Sequence, residues 1–225
     1  MASDQKKAEC AGRTLVGIDE AGFYLLPALV CTWAPVGEPP VVRAPGRYDH
    51  VSAISAITPS GQLLLHVQAE AYHGVDVVRF LKHVLRHIEG KLLIMWDGAS
   101  IHRSLAIKAF LAAGGAQRIH LERLPGYAPD LNPDEGIWSY LKDRELKNLV
   151  CANKRELRDE LRRAVARLRH KRHVIQGCIT QAGRSVSLFM QRAIFQLYTI
   201  HLEHEIAISL MQRYDRRIAT RGIVG

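Results

Sequence analysis

Cysteine is scarce and scattered in this chain of 225 residues. The four cysteines form no Cys-X-X-Cys pair, which argues against a zinc ribbon and a disulfide framework and fits a reducing cytosol. The sequence has no run of about 18 apolar residues and no apolar core near its N-terminus, so we expect neither a membrane span nor a secretory signal. Internal repeats and low-complexity tracts are also absent. These absences predict a cytoplasmic globular protein.

The composition is that of a folded, basic protein. Hydrophobic residues make up 48% of the chain and aromatic residues 7%, which suits a full core and argues against global disorder. Lys and Arg number 31 against 22 Asp and Glu, for a net charge of +9. Such a protein is expected to meet a polyanion, most often nucleic acid, although excess charge can also serve solubility alone.

Two apolar segments each lead directly into an aspartate. Residues 13–19 (RTLVGID) predict a buried strand that ends on Asp19, and residues 91–96 (KLLIMW) predict a strand buried on both faces of a sheet and followed by Asp97. Acidic residues are costly in a core, so strands that end on them require an explanation. The intervening sequence predicts a hairpin of residues 51–57 and 63–67 and an amphipathic helix over residues 75–88.

A proline-rich segment, LPGYAPDLNPDEGIW (residues 124–138), leads into another predicted helix. Its prolines leave the loop few conformations, Asn132 is a preferred N-cap, and Glu135 lies three positions after that cap. Two interpretations of Glu135 are open from this segment alone. Its carboxylate either closes a capping box on Asn132 or binds a metal together with carboxylates from elsewhere in the chain.

Asp19, Asp97 and Glu135 form a candidate metal site. If the two strands are neighbours, their ends lie side by side at the edge where open α/β sheets place their sites. Clustered carboxylates repel unless a cation neutralises them, and oxygen donors favour Mg²⁺ or Mn²⁺ over Zn²⁺. Two such ions assist phosphoryl displacement, so the pattern predicts an enzyme that acts on a phosphodiester backbone. The neighbouring Glu20 and Asp134 point elsewhere and are expected to be outer or solvent carboxylates.

Four segments together carry a resemblance to a known family: LVGIDEAGFYLLP, TWAPVGEPPVV, LLIMWDGASIHRS and LERLPGYAPDLNPDEGIWSYLK. In order and spacing they resemble, over residues 13–184, the catalytic domain of DDE transposases of the mariner-type superfamily, in its bacterial insertion-sequence branch. Asp97 and Glu135 lie 38 positions apart, close to the separation in that family. Gly98 departs from the asparagine that often follows the second aspartate.

The resemblance implies a ribonuclease H-like α/β fold, in which a mixed central sheet is flanked by helices. Asp19, Asp97 and Glu135 would then be the catalytic, metal-binding triad and would hold two Mg²⁺ or Mn²⁺ ions. The implied reaction is nicking at transposon ends, followed by transfer of a 3′-hydroxyl into target DNA, typically at a TA dinucleotide. The implied assembly is a homo-oligomer on DNA, associated with the nucleoid in the cytoplasm of a bacterium.

Four further residues are candidate DNA contacts. His102 matches a histidine usual in the family's second motif, with packing at a helix start as the alternative. Lys142 falls on the same side of its predicted helix as Glu135. Arg158 and Arg162 belong to a basic helix predicted over residues 154–173, for which a solvated face is the alternative.

Three regions are predicted: an N-terminal tail (1–12), the catalytic domain (13–185) and a helical C-terminal extension (186–225). Family members usually begin with a helix-turn-helix region, whereas this sequence starts almost at the first catalytic strand. We therefore expect a separate helix-turn-helix polypeptide, frameshifting from an upstream frame, or a truncated remnant. The alternatives to a transposase are a catalytically silent DNA-binding remnant and a ribonuclease H-like nuclease without transposition activity.

Overall fold

One mixed sheet organises the protein. The computed structural model describes residues 12–31, 33–38, 41–43, 48–125 and 129–182, so the predicted extension over residues 186–225 lies outside the described residues. The strands of the described part are β1 (Arg13–Tyr24), β2 (His50–Ile57), β3 (Leu63–Gln68), β4 (Lys91–Trp96) and β5 (Ile119–Arg123). Their spatial order is β3-β2-β1-β4-β5. β2 is antiparallel to both of its neighbours, and β1, β4 and β5 are parallel.

Helices lie on both faces of this sheet. They are α1 (Gly74–His87), α2 (Leu105–Ala112), α3 (Pro133–Tyr140), α4 (Lys154–Arg169) and α5, which covers residues 172–182 up to the end of the described part. A single π turn (Leu141–Glu145) continues α3. The helix predicted over residues 75–88 is thus confirmed as α1, and the predicted hairpin is confirmed as β2 and β3.

The core has two halves, one on each face of the sheet. Val16, Ile18 and Ile94 pack with the buried residues of α1 and with Ile107 of α2. On the opposite face, Ile57 and Ile137 pack with the apolar stripe of α4. Both faces of β4 are buried, which explains why its sequence is one continuous apolar run.

β1 is longer than the sequence analysis predicted. The strand does not end on Asp19 but continues to Tyr24. Its first half, Arg13 to Gly17, pairs with β4, and the pairing with β2 extends from Gly17 to the end of the strand. The predicted end was wrong because the ladder with β2 satisfies the backbone beyond Asp19, and this partner lies more than 25 positions away in the sequence.

The basic helix is also divided differently from the prediction. α4 ends at Arg169, and α5 begins at residue 172, after a break of two residues. None of the helices that the structure describes is both long and apolar enough to span a bilayer.

Candidate active site

Asp19 is a buried carboxylate in the middle of β1. Only 7% of the residue is exposed, and the indole Nε1 of Trp138 on α3 donates a hydrogen bond of 2.9 Å to its Oδ2. Burial raises the pKa of Asp19 to about 7, and the charges of Glu20 and Glu135 act in the same direction against the indole bond. A carboxylate in this position carries negative charge that the nearby protein groups do not fully compensate.

The register of the sheet places Asp97 level with Asp19. Gly17 of β1 is paired with Met95 of β4 in the parallel ladder. Each aspartate lies two residues beyond its member of that pair, so the backbones of Asp19 and Asp97 stand level at the carboxyl end of β4. Only β4 ends there, and the meeting of the two carboxylates stays a prediction.

Asp97 is held by a buried histidine. The Nδ1 of His102 lies 3.0 Å from Asp97 Oδ1, and its Nε2 lies 3.1 Å from Glu20 Oε1. The imidazole stacks on Trp96 with ring centroids 4.3 Å apart and planes within 2°. Burial alone lowers the pKa of His102, but hydrogen bonding to Glu20 and the charge of Asp97 raise it overall.

The placement of His102 favours helix-start packing over a DNA contact. Its side chain is 2% exposed and both ring nitrogens face acceptors, so neither nitrogen is available to a DNA phosphate. The alternative, packing at the start of a helix, fits the structure. Glu20 lies on the opposite face of β1 from Asp19, as neighbouring strand residues must. It is therefore an outer carboxylate that contacts His102.

Glu135 opens helix α3 and is exposed. The side chain of Asn132 caps the helix by accepting from the backbone N of Asp134 at 3.1 Å. The reciprocal bond of a capping box, from the Asn132 amide to the Glu135 carboxylate, is absent from the hydrogen bonds of the described residues. The Glu135 carboxylate is thus not committed to the cap.

Asp134 fixes the start of α3 against the sheet. Its side chain is fully buried, its Oδ1 accepts a hydrogen bond from Ser55 Oγ of β2, and its Oδ2 lies so close to Gly17 that a Cβ there would be 2.7 Å from it. Burial raises the pKa of Asp134 well above its ordinary value, which favours the neutral acid. The expectation of a solvent carboxylate was wrong for Asp134, since α3 presses this side chain into the interface with β1 and β2.

The geometry can now be compared with known proteins. A family model described as DDE superfamily endonuclease matches residues 14–158. The chain belongs to this family. The match covers all five strands except Arg13 of β1, and it includes Asp19, Asp97 and Glu135. No curated protein sequence matches the chain significantly.

Solved structures of Mos1 share the fold of this chain. They include the Mos1 strand transfer complex (TM-score 0.52, 16% identity, 81% of this chain and 61% of that chain). The mariner paired-end complex of Mos1 with Mn has a TM-score of 0.54 and 16% identity, and the match covers 75% of this chain and 55% of that chain. The paired-end complex with Mg has a TM-score of 0.52 and 18% identity, and the match covers 76% of this chain and 56% of that chain. This likeness confirms the predicted ribonuclease H-like fold, and this chain spans less than two thirds of the length of those chains.

The other predicted DNA contacts of this chain, Lys142, Arg158 and Arg162, lie apart from Asp19 and Asp97. Lys142 is half-buried with its Nζ 5.4 Å from the centre of the Phe23 ring. Arg162 is exposed and pairs with Asp159 at 3.8 Å. The Nε of Arg158 is buried without a hydrogen-bond partner in the described part of the chain. The structure does not bring these three side chains into contact with Asp19 or Asp97.

The sequence analysis did not predict a cation, Arg123, at the carboxyl end of β5 beside Asp97. Arg123 is the last residue of β5 and is paired with Trp96 across the ladder. Its guanidinium lies against Gly98, where the Cζ would be 2.5 Å from an added Cβ. The glycine that departs from the family's asparagine therefore makes room for an arginine beside Asp97. The sequence signal for this contact is a glycine directly after Asp97, together with a charged residue, Arg123, at the end of the neighbouring strand.

Proposed function

We propose that this chain is the catalytic domain of a transposase that cleaves DNA strands and transfers them with the help of divalent metal ions. One relationship carries the proposal. Asp19 and Asp97 are level at one sheet edge, and the Trp138 bond holds the helix of Glu135 beside Asp19. Membership of the DDE endonuclease family and the fold shared with Mos1 complexes support the same conclusion.

The proposed triad suits a divalent cation in the chemistry of its donors. Asp19, Asp97 and Glu135 offer hard oxygen atoms. Burial, together with the charges of Glu20 and Glu135, raises the pKa of Asp19, and a bound cation would counter both effects. Among the residues described, no group of three such side chains is close enough to hold an ion as they stand. Glu135 is exposed and outside the cap, so its side chain is the one that would turn toward the aspartates.

The named complexes of Mos1 contain Mn or Mg, and we propose either ion here, with two ions in the active state. A bound ion would supply charge neutralisation at the reacting phosphate. The protein would supply fixed positions. His102 orients Asp97, Trp138 orients Asp19, and Asp134 sets where α3 begins and hence where Glu135 stands.

DNA is the proposed substrate because the candidate catalytic carboxylates belong to a chain of net charge +9. The strand transfer complex of Mos1 is a structural neighbour, and we extend to this chain the recognition of transposon ends, a TA target and a homo-oligomer on DNA. A separate helix-turn-helix polypeptide would supply end recognition. Lys142, Arg158 and Arg162 remain proposed phosphate contacts, and action at the bacterial nucleoid follows from the substrate.

Nicking of supercoiled plasmid by the purified chain tests the proposal. We expect nicked product with Mg²⁺ or Mn²⁺ and none with EDTA, and we expect Asp97→Asn to abolish it. Asp49→Asn changes the charge equally at an exposed loop position and should nick at the wild-type rate. Nicking in EDTA, or an active Asp97→Asn protein, would refute the assignment. Binding without nicking in either metal would indicate a silent remnant. Cleavage of RNA–DNA hybrids without strand transfer would indicate a ribonuclease H-like nuclease.

A further inference from the structure

Two cavities flank the outer strand β3, away from the carboxylates. Their volumes are about 580 Å³ and about 370 Å³. His83 of α1 and Arg169 of α4 line both of them, so the two cavities are adjacent along β3. We call the pair of cavities the β3 groove.

The β3 groove is lined by basic side chains from four elements of the chain. They are His66 of β3, His83, Arg86 and His87 of α1, Arg169 of α4 and Arg172 of α5. The groove has one acidic lining residue, Asp76, and Arg79 pairs with it at 2.9 Å. The guanidinium groups of Arg86, Arg169 and Arg172 thus have no carboxylate facing them within the lining of the groove.

The charges in the groove act on one another. His83 and His87 lie with ring centroids 4.1 Å apart. Burial lowers the pKa of His83, and the charges of His87, Arg86, His66 and Arg169 lower it further. The lowered pKa favours the neutral form of His83, so the repelling charges are those of the arginines, which are stabilised when an anion enters the groove.

The outer edge of β3 is partly occupied, which argues against an added β-strand as the partner. The carbonyl of Leu63 accepts a hydrogen bond from Arg169 Nε at 3.2 Å. A strand that joined this edge would have to displace that bond. The groups of the groove that can meet a partner are therefore its basic side chains.

The length of the groove suits a run of phosphates. Arg79 and His87 are eight positions apart on α1, which is about 12 Å at the rise of an α-helix. A strand of duplex DNA carries one phosphate for about every 3.4 Å of helix axis. The groove can thus face about three consecutive phosphates.

We propose that the β3 groove binds the phosphate backbone of DNA at a second site, apart from the edge that carries Asp19 and Asp97. β2 lies between β3 and β1, so one duplex segment can lie in the groove while another reaches the carboxylates. That DNA is the polyanion rests on the proposed function. The location of the site rests on the groove itself.

The test compares how tightly the wild type and two triple variants bind a labelled 30-base-pair duplex. Binding is measured in EDTA by fluorescence anisotropy over a range of KCl concentrations. Arg86→Gln/Arg169→Gln/Arg172→Gln should bind about tenfold more weakly or worse, and the salt slope should fall by about 0.9 for each phosphate that the variant no longer neutralises. Lys91→Gln/Lys108→Gln/Lys147→Gln removes three exposed charges outside the groove and should bind within about twofold of wild type. Equal losses in the two triple variants, or no loss in the groove variant, would overturn the proposal.

A second variant guards against a folding defect. Arg86→Glu/Arg172→Glu keeps Arg169 and its bond to the Leu63 carbonyl, and it should abolish most binding while its thermal unfolding stays near that of wild type. Lysine at all three arginine positions should restore binding. A groove that captures labelled polyglutamate but not the duplex would also overturn the proposal. Asp97→Asn should bind the duplex like wild type, so loss of nicking and loss of groove binding are separate outcomes.

Discussion

Trp138 and Asp19 are joined by a buried hydrogen bond of 2.9 Å from the indole Nε1 to the carboxylate. The bond connects α3, which carries Glu135, to β1, which carries one of the two aspartates. Beneath it, Asp134 fills the space left by Gly17 and accepts from Ser55 of β2. The start of α3 is thus held to β1 by the Trp138 bond, and to β1 and β2 by Asp134. These contacts fix the distance from Glu135 to the aspartates.

Removing the indole donor tests the first of these ties. Trp138→Phe keeps most of the ring but leaves Asp19 Oδ2 without its donor, which should cost about 1–3 kcal/mol of unfolding free energy. The bond stabilises the charged carboxylate, so the cost should be larger at pH 8 than at pH 5, where Asp19 is protonated. Urea unfolding at the two pH values measures it. An equal cost at both would mean that the loss is one of packing alone.

Asp19 should make the metal-free protein less stable as pH rises. Its pKa is raised from 3.8 to about 7 in the folded state, so between these values the folded chain holds a proton that the unfolded chain has released. Stability from this group is therefore full below about pH 4 and lost as pH rises through about 7. Asp19→Asn should raise the unfolding free energy at pH 8 by up to about 4 kcal/mol and change it little at pH 4.

Urea unfolding in EDTA at both pH values checks the Asp19 prediction. The matched control is Asp49→Asn, at an exposed position, which should change stability by less than about 0.5 kcal/mol at either pH. An Asp19→Asn protein that is less stable than wild type at pH 8 would contradict the prediction. It would mean that the carboxylate is compensated by groups within the protein.

Much of the fold followed from local sequence patterns. The continuous apolar run of β4 and the helical spacing of α1 are recorded in a few adjacent residues, so both elements were predicted within a residue of their bounds. The end of β1 was missed because it depends on pairing with β2. A strand boundary set by a distant partner leaves no local signal.

The candidate carboxylates could be proposed from the sequence, but the residues that hold them could not. Asp19 and Asp97 each follow a visible apolar run, whereas the partner of His102 is Glu20, 82 positions away. The burial of Asp134 was hidden for a similar reason. In the sequence, Asp134 looks like an ordinary carboxylate in the first turn of a helix. Only the structure shows that its side chain occupies the space beside Gly17, which has no side chain of its own.

Gly17 should tolerate no larger residue. A Cβ there would lie 2.7 Å from Asp134 Oδ2 and 2.9 Å from Pro133 Cγ, so Gly17→Ala should displace the start of α3 and cost about 1–3 kcal/mol. Gly177→Ala on α5 is the control, because nothing lies within 4 Å of an added Cβ there and alanine favours a helix. Thermal unfolding should separate the two variants in opposite directions. A Gly17→Ala protein as stable as wild type would show that α3 is not tightly docked.

Divalent cations should stabilise the chain through its carboxylates, independently of catalysis. At pH 8, an ion that binds only the folded state adds stability that grows with its concentration, about 1.4 kcal/mol at ten times its Kd. We expect millimolar Mg²⁺ or Mn²⁺ to raise the Tm of the wild-type protein in a buffer of matched ionic strength. Asp97→Asn should lose most of this increase, because it removes a donor without a change in size, and Asp49→Asn should keep all of it. An equal rise in all three proteins would indicate general screening of charge, and the carboxylates at the sheet edge would then not be the site that holds the ion.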